Sequence, residues 1–495
     1  MKEYYLKKAE ENLPKINITK ICPDLDPVIL NSGDTFVIDL GTHYVGYFSF
    51  KMWYAERYID APVRMVVRFC EVKEEIDDDY SDYKGFLSPS WLQEEIINID
   101  FPGEYKMPRR YAARYIKISV INATKALSLS NFAFEAVSSA DMNTLKPAKI
   151  IDPEFAKIDK VAVNTLKNCM QRVFEDGPKR DRRLWIGDLR LEALANYYTF
   201  NNSDIVKRCL YLFAASDRNE KGMIVSHLYE KPIFVSGDWY LSDYSLLYAC
   251  SLCDYYNHTG DEGTFRDLYS VAKSAIDSAE NNKDKNGLVD GDAFIDWCPD
   301  LRKRTAYEGV YLYTLDLWCE TLEKLGYEEA SSYRKILSDG RKNAFSVLFD
   351  KEKNAFINDI DDGQYSVHSA AWMVLGGVVT GDEAKEILLS ALNSKDSVKP
   401  KTPYMHHYAV DALMKFGLTD DAEQYIRNIW GGMVDVGADT FFEIYVHGAP
   451  DFSPYGDRKI NSMCHAWSCT PTYFIRKYGL GKRITTNENS RKSDF

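Results

Sequence analysis

The feature that most constrains this chain is a change in the period of its apolar residues near Ile151. From there to Tyr478 they recur at i, i+3 and i+4, as on one face of a helix: Ile158, Val161, Ala162, Thr165, Cys169 and Val173 are one such row. Asp152 caps that first helix and Pro153 takes its first position. The pattern predicts about twelve helices: 151–174, 188–201, 204–216, 240–257, 264–281, 304–325, 328–349, 366–378, 382–394, 402–416, 419–430 and 462–478. Gly260, Gly326, Gly381 and Gly417 read as helix ends. About twelve helices with no strands between them are six hairpins. The closed arrangement that buries every inner face is an α/α toroid, with an open solenoid as the rival. No fixed repeat period favours the solenoid.

Before Ile151 the period is two. Thr35–Leu40, Tyr44–Phe50, Val63–Phe69 and Arg114–Val120 alternate, with turn formers such as Asn31-Ser32-Gly33-Asp34 between runs. Many short strands with turns between them predict an all-β sandwich. At 495 residues the chain exceeds one ordinary core. The expectation is a multidomain protein: a β-sandwich over 1–148, then an all-α six-hairpin (α/α)6 toroid over 149–495. The acidic, Tyr-rich stretch Asp77–Tyr83 is a long loop, either solvated or a roof over a site on the second domain.

Charge and composition narrow the function. A net charge of −13 argues against nucleic acid and acidic membranes as partners. The first ten residues lack an apolar signal region, and no run of about 18 apolar residues exists. Ten cysteines scattered through apolar runs fit reduced core thiols, so the expected location is cytoplasmic. Cys250 and Cys253 read as core packing. Asn282–Val289 hints at a calcium loop, but with Gly287 sixth the twelfth position is Ala293, not the required Glu. His406-His407 lacks zinc-helix spacing, and there is no phosphate or dinucleotide loop. No cofactor and no metal are expected.

The chemistry concentrates in Glu175-Asp176-Gly177-Pro178-Lys179-Arg180-Asp181-Arg182-Arg183-Leu184-Trp185-Ile186-Gly187-Asp188. Gly177 and Pro178 break any helix there, so the stretch is a loop between the first two helices. A self-paired surface loop is the plain alternative; the embedded Trp185 and the Gly187-Asp188 helix start weigh against it. The pattern resembles the signature of the α-L-rhamnosidases of glycoside hydrolase family 78. Asp176, Pro178, Arg180, Asp181, Trp185, Gly187 and Asp188 all fall on it. Two departures are Asp181 where many members have Glu, and Arg183-Leu184 where many have Gly before the Trp.

Glycoside hydrolysis commonly uses two carboxyl groups, one to protonate the leaving oxygen and one to activate water or attack. The resemblance makes Asp181 the general acid. It makes Glu443, in Gly437-Ala438-Asp439-Thr440-Phe441-Phe442-Glu443, the base, with Phe442 in place of the usual Trp. Cys464-His465-Ala466-Trp467-Ser468 resembles the family's later His segment, so His465 is a sugar ligand by the same resemblance. Asp238-Trp239 and Asp296-Trp297 each pair an apolar ring with a carboxylate, which suits the two faces of a sugar. Trp239 and Trp297 are the expected stacking residues. Asp176, Arg180 and Asp188 are expected to hold hydroxyls and tune the acid, and Trp185 to line the site. Trp318, Trp372 and Trp430 sit inside helices and read as core.

The resemblance implies an inverting exo-glycosidase that removes terminal α-L-rhamnosyl residues from small glycosides or oligosaccharides. It also implies a pared-down chain with no further β-domains. Another inverting glycosidase of the same toroid, or a non-catalytic carbohydrate-binding protein, are the alternatives. Retention of both carboxylates weighs against the latter.

Overall fold

The computed structural model describes residues 1–57 and 60–483; the tail 484–495, assigned above to the second domain, lies outside them. The chain opens with helix α1 (Lys2–Glu11) and then makes β1 (Asn17–Ile21), β2 (Val28–Leu30), β3 (Thr35–Tyr54), β4 (Val63–Cys70), β5 (Glu94–Ile99), β6 (Gly103–Lys106), β7 (Tyr111–Asn122) and β8 (Leu127–Ser138). They form one antiparallel network in the order β1-β8-β3-β7-β4-β5, with β2 on β8 and β6 on β3. The two halves are joined by β3, which pairs β7 over Thr35–Gly46 and β8 over Gly46–Tyr54. Alternation sets its buried face: Phe48, Phe50 and Met52 are buried, and Phe48 packs on Phe69 and Phe132. The register shifts between Asp39 and Tyr44, where Gly41 takes φ 84°. In that bulge His43 is fully buried, and its backbone N–H donates to Asp439 of the helical domain at 2.8 Å.

The helices that follow are α2 (Pro153–Cys169), α3 (Ile186–Tyr198), α4 (Ser203–Ala215), α5 (Ser242–Thr259), α6 (Glu262–Asn281), α7 (Arg304–Leu325), α8 (Ala330–Leu348), α9 (Val367–Leu375), α10 (Gly381–Asn393), α11 (Pro403–Lys415), α12 (Thr419–Ile426), α13 (Gly432–Asp435) and α14 (Pro471–Tyr478). A π turn over Arg427–Gly431 joins α12 to α13. The alternate helices α3, α5, α7, α9 and α11 pack in that order, and α11 reaches α3 again through the turn Ala466–Ser468 and α14. The ring is therefore closed, and the solenoid is excluded. Inner helices are buried along most of their length, and α9 at every position, while outer helices such as α6 bury one stripe, Phe265, Leu268, Ala272, Ile276 and Ala279. Trp318, Trp372 and Trp430 are wholly buried, as expected.

Four local expectations differ from the structure, the first being that no strands lie between the helices: Leu184–Trp185, His227–Tyr229 and Val235–Ser236 form one small sheet there, and Phe349–Asp350, Ala355–Asp359 and Asp362–Tyr365 another. α1 was not foreseen: only Tyr5 and Ala9 of it are buried, a stripe too narrow to show against its charges, and it packs on α4. The last helix is short: Pro471 opens α14, and upstream of it the backbone N–H groups of Ser462 and Met463 donate to Glu443 and Glu71 instead. Gly381 begins α10 rather than ending a helix. Among the described residues no helix is long and apolar enough to cross a membrane.

Candidate active site

The loop between α2 and α3 and the long connection before α14 meet where the ring closes. Asp176 anchors the first loop across its neck: its N–H donates to the Arg183 carbonyl, and its Oδ1 accepts from the Arg183 N–H, both at 3.0 Å. Ala466 N–H donates to the Asp176 carbonyl at 2.7 Å, which ties the two loops together. Asp181 and Arg182 both lie in the left-handed region, with φ of 66° and 54°. That conformation costs an L-residue and persists only where surroundings enforce it. Gly187 is required by close approach, since a Cβ there would lie 2.5 Å from the Tyr244 ring.

All nine residues expected from the sequence come together. Asp176, Arg180, Asp181, Trp185, Asp188, Trp239, Trp297, Glu443 and His465 line one cavity of about 640 Å³. Arg180 is the link between the carboxylates: its Nη2 donates to Glu443 at 2.5 Å, and its Nη1 lies 3.5 Å from Asp181. Its principal partner is thus Glu443, not the adjacent Asp181 that the sequence placed beside it.

Glu443 is buried, and burial alone would raise its carboxyl. The Arg180 guanidinium and a bond from the Tyr455 hydroxyl at 2.5 Å outweigh that and hold it at about 2. The Ser462 N–H adds a third bond at 3.1 Å. Burial and the nearby guanidinium lower His465 to about 3, so it is neutral at pH 7. The Arg180 cation is then the charge that keeps Glu443 ionised. Asp188 sits oppositely: burial first, then the charges of Glu443 and Asp181, push it well above the usual carboxylate range. Asp176 is raised by burial, Asp181 and Asp188. Trp185 Nε1, Asp188 Oδ1 and His465 Nδ1 are buried without a hydrogen-bond partner, the last two lying 3.6 Å from each other.

Aromatic rings make the walls. Trp185 stacks on His227 with centroids 4.3 Å apart and meets Trp239 edge-on at 6.1 Å. Trp297 meets Tyr455 edge-on at 5.5 Å. Phe86, Leu87 and Trp91 of the first domain complete the mouth. The Asp77–Tyr83 stretch supports them, with Asp78 accepting from Arg458 at 2.5 Å and Asp82 from Lys459. Trp239 is 42% exposed, so little of the core depends on it. Trp239→Ala should raise KM roughly fivefold, the worth of about 1 kcal/mol of ring contact, with the melting temperature unchanged. Trp318→Ala should leave KM alone and cost about 3–5 kcal/mol of stability by chemical denaturation. The reverse pattern would remove Trp239 from the site.

One pairing is corrected. Asp296 does not face a sugar beside Trp297: it is buried and accepts from Thr402 Oγ1 at 2.6 Å, Lys401 N–H at 2.9 Å and Thr402 N–H at 3.2 Å, with His368 Nε2 at 2.8 Å. Cys298 lies close enough to complete a three-ligand metal set. Both Asp296 oxygens are already used, however, Oδ1 by Thr402 and Oδ2 by His368 and Lys401. The cluster anchors the loop that carries Trp297. Tyr455 was missed by the sequence reading. It lies in an irregular loop without periodicity or motif, and only its contacts reveal it.

A closed ring of six hairpins with two carboxylates facing each other at one end defines a six-hairpin glycoside hydrolase. Residues 9–138 match the glycosyl hydrolase family 78 alpha-rhamnosidase N-terminal domain, and residues 150–478 match the bacterial alpha-L-rhamnosidase 6 hairpin glycosidase domain. The chain belongs to glycoside hydrolase family 78, the α-L-rhamnosidases. A rhamnosidase from Klebsiella oxytoca solved with rhamnose bound is 39% identical, with a TM-score of 0.91 over 97% of this chain and 99% of that one. A family 78 rhamnosidase of Bacillus sp. GL1 shares the fold at 23% identity and a TM-score of 0.76, over 92% of this chain and 47% of that one. An α-L-rhamnosidase of Streptomyces avermitilis solved with L-rhamnose does so at 16% and 0.69, over 93% and 44%. The comparison with curated proteins returned no match.

Proposed function

We propose that this glycoside hydrolase is an inverting, exo-acting α-L-rhamnosidase that releases terminal rhamnose from small glycosides or oligosaccharides. The observation that carries the reading is the pair Asp181 and Glu443 facing one cavity across a shared guanidinium. Asp181 protonates the leaving oxygen, and Glu443 receives a proton from the attacking water. A carboxylate held at about 2 cannot deprotonate free water. Water becomes acidic as it bonds to the oxocarbenium-like anomeric carbon, so transfer to Glu443 accompanies bond formation. Both Glu443 oxygens are engaged, Oε1 by Tyr455 and Oε2 by Arg180 and Ser462. That fixes the position of the carboxylate in the cavity. Trp185 Nε1, and Asp188 Oδ1 and His465 Nδ1 at 3.6 Å from each other, have no hydrogen-bond partner and supply polar groups that sugar hydroxyls would pair with. The working location is the cytoplasm, a reading supported by ten free thiols, nine of them buried.

The test is proton NMR of the first sugar released from nitrophenyl α-L-rhamnoside. The expected product is β-rhamnose, which mutarotates afterwards. Initial α-rhamnose would overturn inversion and the role of Glu443. Turnover of a different nitrophenyl glycoside but not the rhamnoside would overturn the sugar assignment.

A further inference from the structure

The first domain reaches into the centre of the second through one buried chain of charge. Lys179, next to Arg180 and Asp181, is 1% exposed, and its ammonium donates to Glu75 of the first domain at 2.5 Å. Burial would strip that proton, but Glu75 and Glu71 hold it on the lysine. Glu75 Oε2 accepts from the backbone N–H of Glu71 at 2.6 Å. Glu71 in turn lies 3.1 Å from His43 Nε2 and accepts from the Met463 N–H at 2.7 Å. Lys179 also donates to the carbonyls of Asn461 at 3.2 Å and Lys459 at 3.3 Å, and Arg180 Nε to that of Ile460 at 3.1 Å. The next residue, Ser462, bonds Glu443 through both its N–H and its carbonyl. The acid-bearing and base-bearing loops are thus sewn together by Lys179 and Arg180, with the counter-charge for the lysine supplied from the other domain.

We infer that Glu75 and Glu71 of the β-domain are positioning residues for catalysis: through Lys179 and Met463 they fix the separation of Asp181 and Glu443, so the two domains make one catalytic unit. None of the three acts on the sugar, because Glu71, Glu75 and Lys179 do not line the cavity. The inference rests on the catalytic roles proposed above. A buried charge placed only for stability would be dispensable, since replacing both partners by neutral groups of similar size is often neutral for folding. A positioning pair would not be, because misplacement by about 1 Å can cost a hundredfold in rate.

The decisive variant is therefore the double replacement Glu75→Gln with Lys179→Met. The expected result is a melting temperature within about 4 °C of wild type, KM little changed, and kcat lower by about a hundredfold. A folded double variant with wild-type stability and wild-type kcat overturns the inference. Should it fail to fold, Lys179→Arg keeps the charge but moves it: the expected result is reduced kcat at unchanged stability, and full kcat overturns the inference. A crystal structure of whichever variant folds supplies a readout independent of substrate. Displacement of Asp181 or opening of the 2.5 Å Arg180–Glu443 contact is expected, and an unmoved contact overturns it. If the wild-type protein turns over no rhamnoside, the substrate reading fails while this structural result still decides the positioning.

Discussion

Glu443→Gln removes about a thousandfold or more of kcat on every glycoside, the usual worth of a lost acid–base group. Nothing else in the cavity replaces it. Asp188 is pushed towards its neutral form by burial and by Asp181, both of which persist in the variant, and Asp176 by burial and its carboxylate neighbours. The same change should cost stability, because Arg180 is buried and loses its closest counter-ion. A carboxyl lowered from 4.5 to about 2 corresponds to about 3 kcal/mol. The sign follows from the depressed value: the contribution is complete above the unfolded value of about 4.5 and fades as pH falls towards 2. Denaturation of wild type and variant should thus differ by about 3 kcal/mol at pH 7 and converge between pH 4.5 and 2. A constant gap across that window would mean that Glu443 is not held by Arg180.

Asp181→Asn gives a different signature. Its loss should be about a thousandfold on a glycoside with a sugar or alkyl leaving group, which must be protonated as the bond breaks. Nitrophenol leaves largely unaided, so there the loss should be only about tenfold. Stability should change little, since Asp181 is the more distant of the two Arg180 partners and Glu443 remains. The comparison of kcat/KM on the two substrate types decides it. Equal losses on both would remove the proton-donor role, whatever the absolute activity.

Much of this was legible in the chain. The change of period at Ile151 predicts the closed ring because inner helices must be apolar on all sides, as α9 is. The charged loop and its distant partners name nine residues that do converge on one cavity. What escaped reading is what periodicity does not encode. The Lys179–Glu75 contact spans 104 positions and joins two domains, and a lone Lys or Glu carries no sign of its partner. Asp296 looked like a sugar ligand because an Asp-Trp pair is the same string whether the carboxylate faces the cavity or turns back to hold Thr402. The last helix read long because apolar spacing continues upstream of Pro471, through residues whose backbone serves Glu443 and Glu71.

Closure of the ring by its final hairpin has a consequence for synthesis. Arg180 precedes Glu443 by 263 residues, and at about 5–20 residues per second the ribosome needs roughly 13–50 s to cover that interval. Throughout it, the Arg180 guanidinium lacks its closest counter-ion, and the inner faces of α3 and α11 lack the segment that joins them. The nascent helices form an open arc, apolar along both free edges, until residues 443–478 emerge. Glycosidase activity therefore arrives in one step, late and all at once, and the growing arc is the species most in need of a chaperone.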